Sequence, residues 1–307
     1  MYEIQTDVVI GGGPAGLSAA VAAKKEGAEK VLIIERDEKL GGILQQCIHP
    51  GFGLTYFHKE LTGPEYAGHF KEEALALGAE VLLNSMVLEV IPEESAVICV
   101  NSEYGMTKVK AGSIVLAMGC RERTRAGIMI PETEEFIPCD TLLLSVGLIP
   151  ENELSRGADV KISRITNGPE VNQYMQTSWD NVFACGNVVH VNDLVDNVTV
   201  ESMNAGASAA RYAMHKLPEA NREVPSVTGE NVRYLCPQRV KIGEENETVR
   251  LFFRVLHPEL DVVIRVKSGD KVLSEKKEKR VNPGEMCHVE VKTAEITGDD
   301  VTVEVVK

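Results

Sequence analysis

The sequence predicts an α/β fold: a Rossmann-like unit carrying a β-meander over residues 1–223, then a small all-β sandwich over residues 224–307. Three observations predict it. An apolar strand, Asp7-Val8-Val9-Ile10, enters the glycine-rich turn Gly11-Gly12-Gly13-Pro14-Ala15-Gly16 and continues as a helix through Leu17-Ser18-Ala19-Ala20 to about Gly27. Three short strands near 87–91, 96–100 and 106–110 are separated by Pro-Glu-Glu and Glu-Tyr-Gly turns. From Val224 onward, short strands of period-two alternation replace helical patterns.

Each residue type in the first unit has a physical reason. Gly11 permits a tight turn, Gly13 lets the backbone approach a pyrophosphate, and Gly16 lets helix and strand pack closely. The free N–H groups and positive dipole end of the helix suit phosphates. A second apolar strand, Val31-Leu32-Ile33-Ile34, ends in Glu35, nineteen residues beyond Gly16 and near the roughly 20 expected of an acid on a ribose 2′-OH. Strand, helix, second strand and terminal acid fall within one unit, which predicts a bound dinucleotide. The fingerprint occurs once.

The remaining elements follow in order. Lys39-Leu40-Gly41-Gly42 leads into a polar loop through Cys47, His49 and Gly53. A helix is predicted from Pro64 to Gly78, followed by strand Val81-Leu82-Leu83 and the meander. A buried strand over 113–117 ends at Met118-Gly119-Cys120, and the charged run 121–125 reads as a loop. Strands are predicted over 141–147 and around Val182-Phe183-Ala184, then a small-residue helix over 201–216. In the last third, strands are predicted at 249–252, 262–266, 289–291 and 301–305, with turns at Ser268-Gly269-Asp270 and Asn282-Pro283-Gly284. The lysine-rich segment 271–279 reads as a solvated hairpin edge.

Composition narrows the function. At 307 residues, 44% hydrophobic and 25% charged, the chain is an ordinary globular length and mixture. A net charge of −14 argues against nucleic acid or an anionic membrane as partner. The acidic start Met1-Tyr2-Glu3 does not read as a signal peptide, and no apolar run is long enough to span a bilayer. The seven cysteines are odd in number and form no CxxC pair, which suits buried thiols in a reducing cytoplasm better than a disulfide or zinc framework.

The segments GGILQQCIHPGFG, LAMGCRERTR, IPCDTLLLSVGLIPENEL and FACGNVVHVNDLVD resemble the flavin-dependent pyridine nucleotide–disulfide oxidoreductase superfamily. Within it they resemble bacterial enzymes related to anaerobic glycerol-3-phosphate dehydrogenase or sarcosine oxidase subunits. The resemblance covers residues 1 to about 240 and implies a three-layer ββα FAD-binding fold. It implies FAD as cofactor, its ADP half held by Gly11, Gly13, Pro14, Ala15, Gly16, Glu35 and Arg36. Gly42 would lie near the pyrophosphate, the backbone of Val87 at the adenine, and Ala117-Met118-Gly119 beside the flavin. Residues 177–187 match the second flavin fingerprint, with Gly186 and then Asn187 where the family has an acid, so a neutral amide would meet the ribitol. The helix predicted from Glu201 would aim its positive end at the flavin pyrimidine. Cys47 has no nearby cysteine partner, which argues against a dithiol mechanism. Cys47, His49 and His190, with Asp193, would line the substrate side, His49 as a proton donor.

In the full family the chain builds a nicotinamide-binding domain between the strand ending at Gly119 and the strand over 141–147, an excursion on the order of 100 residues with its own glycine fingerprint. Only residues 125–139 stand there, and they contain none. The sequence therefore predicts an FAD-dependent oxidoreductase without a nicotinamide site, an electron-transfer subunit reduced by a small substrate or partner subunit. The alternatives are a non-catalytic FAD-binding or assembly module, or an NAD(P)H-dependent flavoenzyme from which the nicotinamide domain has been removed.

Overall fold

A computed structural model describes residues 3–103, 105–123, 130–141 and 147–307. The first strand, β1 (Glu3–Ile10), leads into helix α1 (Pro14–Glu26) and strand β2 (Val31–Ile34). After a loop come α2 (Gly63–Ala76), β3 (Glu80–Leu82), β4 (Ser85–Ile91), β5 (Ala96–Asn101) and β6 (Gly105–Leu116). Much later β7 (Val182–Ala184) and α3 (Val195–Ala213) complete this part. The sheet order is β3-β2-β1-β6-β5-β4, with β7 added to β6. Strands β3, β2, β1, β6 and β7 are parallel, and the meander β4-β5-β6 is antiparallel.

β6 corrects the sequence reading, which expected separate strands over 106–110 and 113–117. One continuous strand spans both. Its first half pairs with β5 and its last three residues pair with β7, while β1 runs along the other edge. Gly112 is not a break in it. A Cβ there would lie 2.8 Å from the Ala213 Cβ, so the missing side chain seats the end of α3 on the strand.

α1 is buried continuously from Ala15 to Ala23, as expected for a helix enclosed between a sheet and α3. A side chain on Gly206 would strike the carbonyl of Ala19 at 2.0 Å, so glycine fixes the α1–α3 approach. The helix expected over 201–216 instead begins at Val195 and ends at Ala213. The β-branched run through Val198, Thr199 and Val200 disfavours helix locally, but tertiary anchors outweigh it. Asp196 accepts hydrogen bonds from the backbone of Gly53 (3.3 Å) and Tyr56 (2.6 Å), and Thr199 bonds the Tyr66 hydroxyl at 2.7 Å. α2 starts on a capping box in which Thr62 and Glu65 exchange bonds.

Part of the charged run read as a loop is a strand: Cys120–Glu122 pairs antiparallel with Leu148–Pro150. Arg123 follows, its N–H on Gly147 O at 2.9 Å, while Thr124 and Arg125 of that run and most of the strand expected over 141–147 lie outside the described residues.

The last third forms two all-β sheets. β8 (Arg222–Thr228), β10 (Arg239–Ile242), β12 (Glu259–Ser268), β13 (Lys271–Val281) and β15 (Val301–Val306) form one, in the order β10-β8-β15-β12-β13. β9 (Val232–Cys236), β11 (Thr248–Val255) and β14 (Cys287–Lys292) form the other, in the order β9-β11-β14. Val249, Leu251, Phe253 and Val289 from the smaller sheet share a core with Ile264, Val266 and Val303 from the larger, the packing of a sandwich. The lysine-rich strand β13 is an edge, mostly exposed.

Candidate functional site

The carboxyl ends of β1, β2, β6 and β7 lie at one end of the parallel sheet, where open α/β sheets place their ligands. Backbone bonds extend the ladder beyond the strands: Gly11 N donates to Ile34 O (2.9 Å), Ala117 N to Ile10 O (2.9 Å) and Cys185 N to Leu116 O (3.0 Å). The glycine turn, Glu35, Ala117-Met118-Gly119 and Cys185-Gly186 are thereby brought to one rim.

The three fingerprint glycines differ in what surrounds them. A Cβ on Gly11 (φ +95°) would fall 2.5 Å from Ala117 O, and one on Gly16 would fall 1.8 Å from Gly11 O. Both are demanded by the protein's own backbone. A Cβ on Gly13 would meet only Gly42 Cα, at 4.0 Å. Gly13 therefore leaves a concavity that no protein atom needs, at a helix N-terminus whose capping residue supplies no side-chain bond. The donors there are aimed outward, so the cradle fits a phosphate group.

Gly12, a variable position of the fingerprint, is constrained as well. A Cβ there would overlap Leu40, and its N–H donates to the buried Glu35 carboxylate, whose other oxygen accepts from Asp37 N at 3.0 Å. Arg36 is exposed and pairs with Glu151 at 3.5 Å. Val87 is buried in β4, opposite Cys99. Gly119 (φ +77°) accepts from Glu151 N at 3.0 Å through its carbonyl.

Gly186 (φ +74°) packs against Ala15. Asn187 bridges inward, its amide donating to the Cys120 sulfur (3.5 Å) and its oxygen accepting from Asn192 N (2.9 Å). Burial pushes the Cys120 thiol up, and pushes the fully enclosed Cys185 thiol up to about 12, which marks Cys185 as packing.

The residues expected to carry chemistry occupy different surroundings. Cys47 closes the short 3₁₀ turn Gly42–Gln46, its thiol donating to Ile43 O at 3.4 Å. His49 is exposed, its Nδ1 2.9 Å from Pro50 O and its ring 5.1 Å from Phe52. His190 is only 1% exposed: its Nε2 lies 2.7 Å from Glu201, and Tyr234 and Phe252 of the β-sheets meet its ring edge-on. Burial opposes charge on His190, but Cys236 and Glu201 outweigh it and hold the imidazole well above its usual pKa. Glu201 also accepts from Gly186 N at 2.6 Å, tying the second fingerprint to α3. Asp193 is engaged by Arg254 and by Met286 N (2.6 Å). The sequence reading missed Asp196, Glu201 and Cys236 as partners. An acid in the first turn of a longer α3 was the one local signal for Asp196.

The pyridine nucleotide-disulphide oxidoreductase model matches residues 6–136 and 124–210. Hydrogen cyanide synthase subunit HcnB of Pseudomonas protegens is 31% identical over 125 residues, 38% of this chain, and the chain spans only 25% of that protein's length. Thioredoxin reductase from Gloeobacter violaceus superposes with a TM-score of 0.53 at 15% identity, over 70% of this chain and 97% of that one. Bacillithiol disulfide reductase from Bacillus cereus gives 0.56 at 14% identity, over 67% and 99%. At such identities the structural likeness shows the fold.

Proposed function

The chain belongs to the pyridine nucleotide-disulphide oxidoreductase family, and from that membership we propose an FAD-dependent oxidoreductase that works as an electron-transfer subunit, taking electrons from a partner subunit or small substrate. The observation that carries this is the ribbon Cys120–Glu122 with Leu148–Pro150, closed by Arg123 N on Gly147 O at 2.9 Å. Only residues 124–146 lie between those two bonded residues, fewer than the roughly 30 or more a single βαβ unit needs. Hydride transfer needs the nicotinamide held against the flavin, and the family resemblance gives that task to such a unit. That HcnB is described as a subunit supports the assembly reading.

The concavity at Gly13 and the outward N–H groups of Ala15 and Gly16 fit the pyrophosphate of FAD, with Glu35 on the ribose. Bound there, FAD supplies reversible two-electron chemistry. Around it, the first turn of α3 presents its positive end, and exposed His49 beside Phe52 is the proposed proton donor to substrate. In this reading residues 1–223 are the flavin domain and 224–307 a separate sandwich domain. All seven cysteines are free, which supports a reducing compartment such as the cytoplasm. Among the described residues no helix is long and apolar enough to cross a membrane.

Anaerobic mixing of the purified yellow protein with NADH, followed by visible absorbance, tests the proposal. Slow, non-saturating bleaching is expected, against fast bleaching with a co-purified partner or a hydroxy- or amino-acid substrate. Rapid, saturable bleaching by NADH alone would overturn the missing nicotinamide site, and a protein that takes up no FAD would overturn the flavin assignment.

A further inference from the structure

We propose that His190, Glu201 and Cys236 form a binding site for a divalent transition-metal cation of the zinc class. The site is separate from the FAD reading and does not depend on it. The three side chains come from three segments: the loop after β7, helix α3, and the end of β9. One ligand atom of each lies within 4.8 Å of the other two, and all three residues are buried.

The three donors already address one another: His190 Nε2 lies 2.7 Å from Glu201, and Cys236 stands within hydrogen-bonding reach of the same imidazole. A dication bound there would take the place of the protons these groups now share.

The donor set is chemically apt. Imidazole nitrogen, thiolate sulfur and carboxylate oxygen are the ligand types that zinc and its neighbours accept in tetrahedral sites. A dication with one thiolate and one carboxylate makes a site of zero net charge, which removes the main objection to burying these groups. The ligands are also braced from behind. The Gly186 N–H holds the second oxygen of Glu201, and Tyr234 and Phe252 wall the imidazole at 6.0 Å. Glu201 and Cys236 also line a cleft of about 360 Å³ between α3 and the β-sheets, bordered by Asn204, Arg211 and Phe252. A fourth ligand, water or a small donor molecule, reaches the metal from that side, so the site has the three-plus-one form of an open centre.

The test uses the full chain, stripped with a chelator, verified as folded by circular dichroism, and titrated with Co²⁺ and with Zn²⁺ in competition with an indicator. One metal per chain is expected, with Co²⁺ giving a thiolate charge-transfer band and the intense visible bands of four-coordination. Cys236→Ser should remove the charge-transfer band and weaken Zn²⁺ by at least about 100-fold. His190→Asn should weaken it comparably while keeping the band, and Cys139→Ser, on an exposed thiol, should change neither. Folded wild-type protein that takes up no Co²⁺, or takes it up without a thiolate band, overturns the proposal whatever the variants do. Unaltered binding by folded Cys236→Ser overturns it equally.

Discussion

Gly186 lies against Ala15 so closely that a Cβ on the glycine would stand 2.8 Å from the alanine methyl. These residues are 171 positions apart and belong to the two segments that resemble flavin fingerprints. Their contact sets the end of β7 against the first turn of α1. The cradle is therefore a single packed object, and its glycines divide into those required by the fold and those left for a ligand.

That division predicts opposite phenotypes. Gly16→Ala places a methyl 1.8 Å from Gly11 O, and neither backbone segment can yield cheaply. It should lower stability by about 3 kcal/mol or more, seen as a lower denaturation midpoint. Gly13→Ala meets nothing nearer than 4.0 Å, so its melting temperature without cofactor should match wild type while FAD affinity falls at least about tenfold. Loss of stability in Gly13→Ala, with cofactor affinity retained, would refute the assignment of its concavity to the pyrophosphate.

The α1–α3 contact makes a similar claim without any cofactor. Gly206→Ala brings a methyl within 2.0 Å of Ala19 O, in the middle of two helices enclosed by the sheet. Destabilisation of about 1–3 kcal/mol is expected in urea unfolding. The same substitution at Gly284, where no atom lies within 4 Å of the added Cβ, should be near neutral. Equal effects at both positions would contradict the packing.

Asp7 gives a pH dependence with a definite sign. It is buried beside Ser113, whose hydroxyl donates to it at 3.2 Å, and burial raises its pKa from 3.8 to about 6. Between those values the folded chain holds a proton that the unfolded chain has lost, so stability falls as pH rises from about 4 to about 6 and is level above. The shift corresponds to about 3 kcal/mol at most. Asp7→Asn keeps the shape without the charge, so it should gain about 2 kcal/mol over wild type at pH 8 and almost nothing at pH 4. Chemical denaturation at the two pH values decides this, and a gain of equal size at both would exclude Asp7 as the source.

Local pattern made most of the fold readable. The fingerprint, the meander and the alternation after Val224 are periodic or glycine-punctuated, and each of those signals is set by a few neighbouring residues. Length was readable too, because the segment around 125–139 is too short for a domain whatever its conformation. Tertiary decisions were not readable. The strands expected over 106–110 and 113–117 are one, with Gly112 a seat for Ala213, and α3 begins at Val195 because Gly53, Tyr56 and Tyr66 are waiting for its side chains. The cluster of His190, Glu201 and Cys236 joins positions separated by as much as 46 residues, with no motif spacing to announce it.

Asp196 anchors the loop that follows Cys47 and His49, and this can be tested without reference to chemistry. Its two oxygens accept from Gly53 N at 3.3 Å and Tyr56 N at 2.6 Å, so the buried carboxylate is the acceptor for two backbone donors 140 or more positions away. Asp196→Ala leaves both donors without their acceptor and should destabilise the chain by about 2–4 kcal/mol. Asp196→Asn keeps the volume but turns an NH₂ toward one backbone N–H, so it should lose about half as much. Hydrogen exchange gives the local readout: the amides of Gly53 and Tyr56 should exchange faster in both variants, while those of β12 stay protected. Uniform loss of protection across the chain would mean that Asp196 supports the whole fold, and unchanged exchange at Gly53 and Tyr56 would mean that the loop is held by its own contacts, including Tyr56 on Phe57 and Phe70.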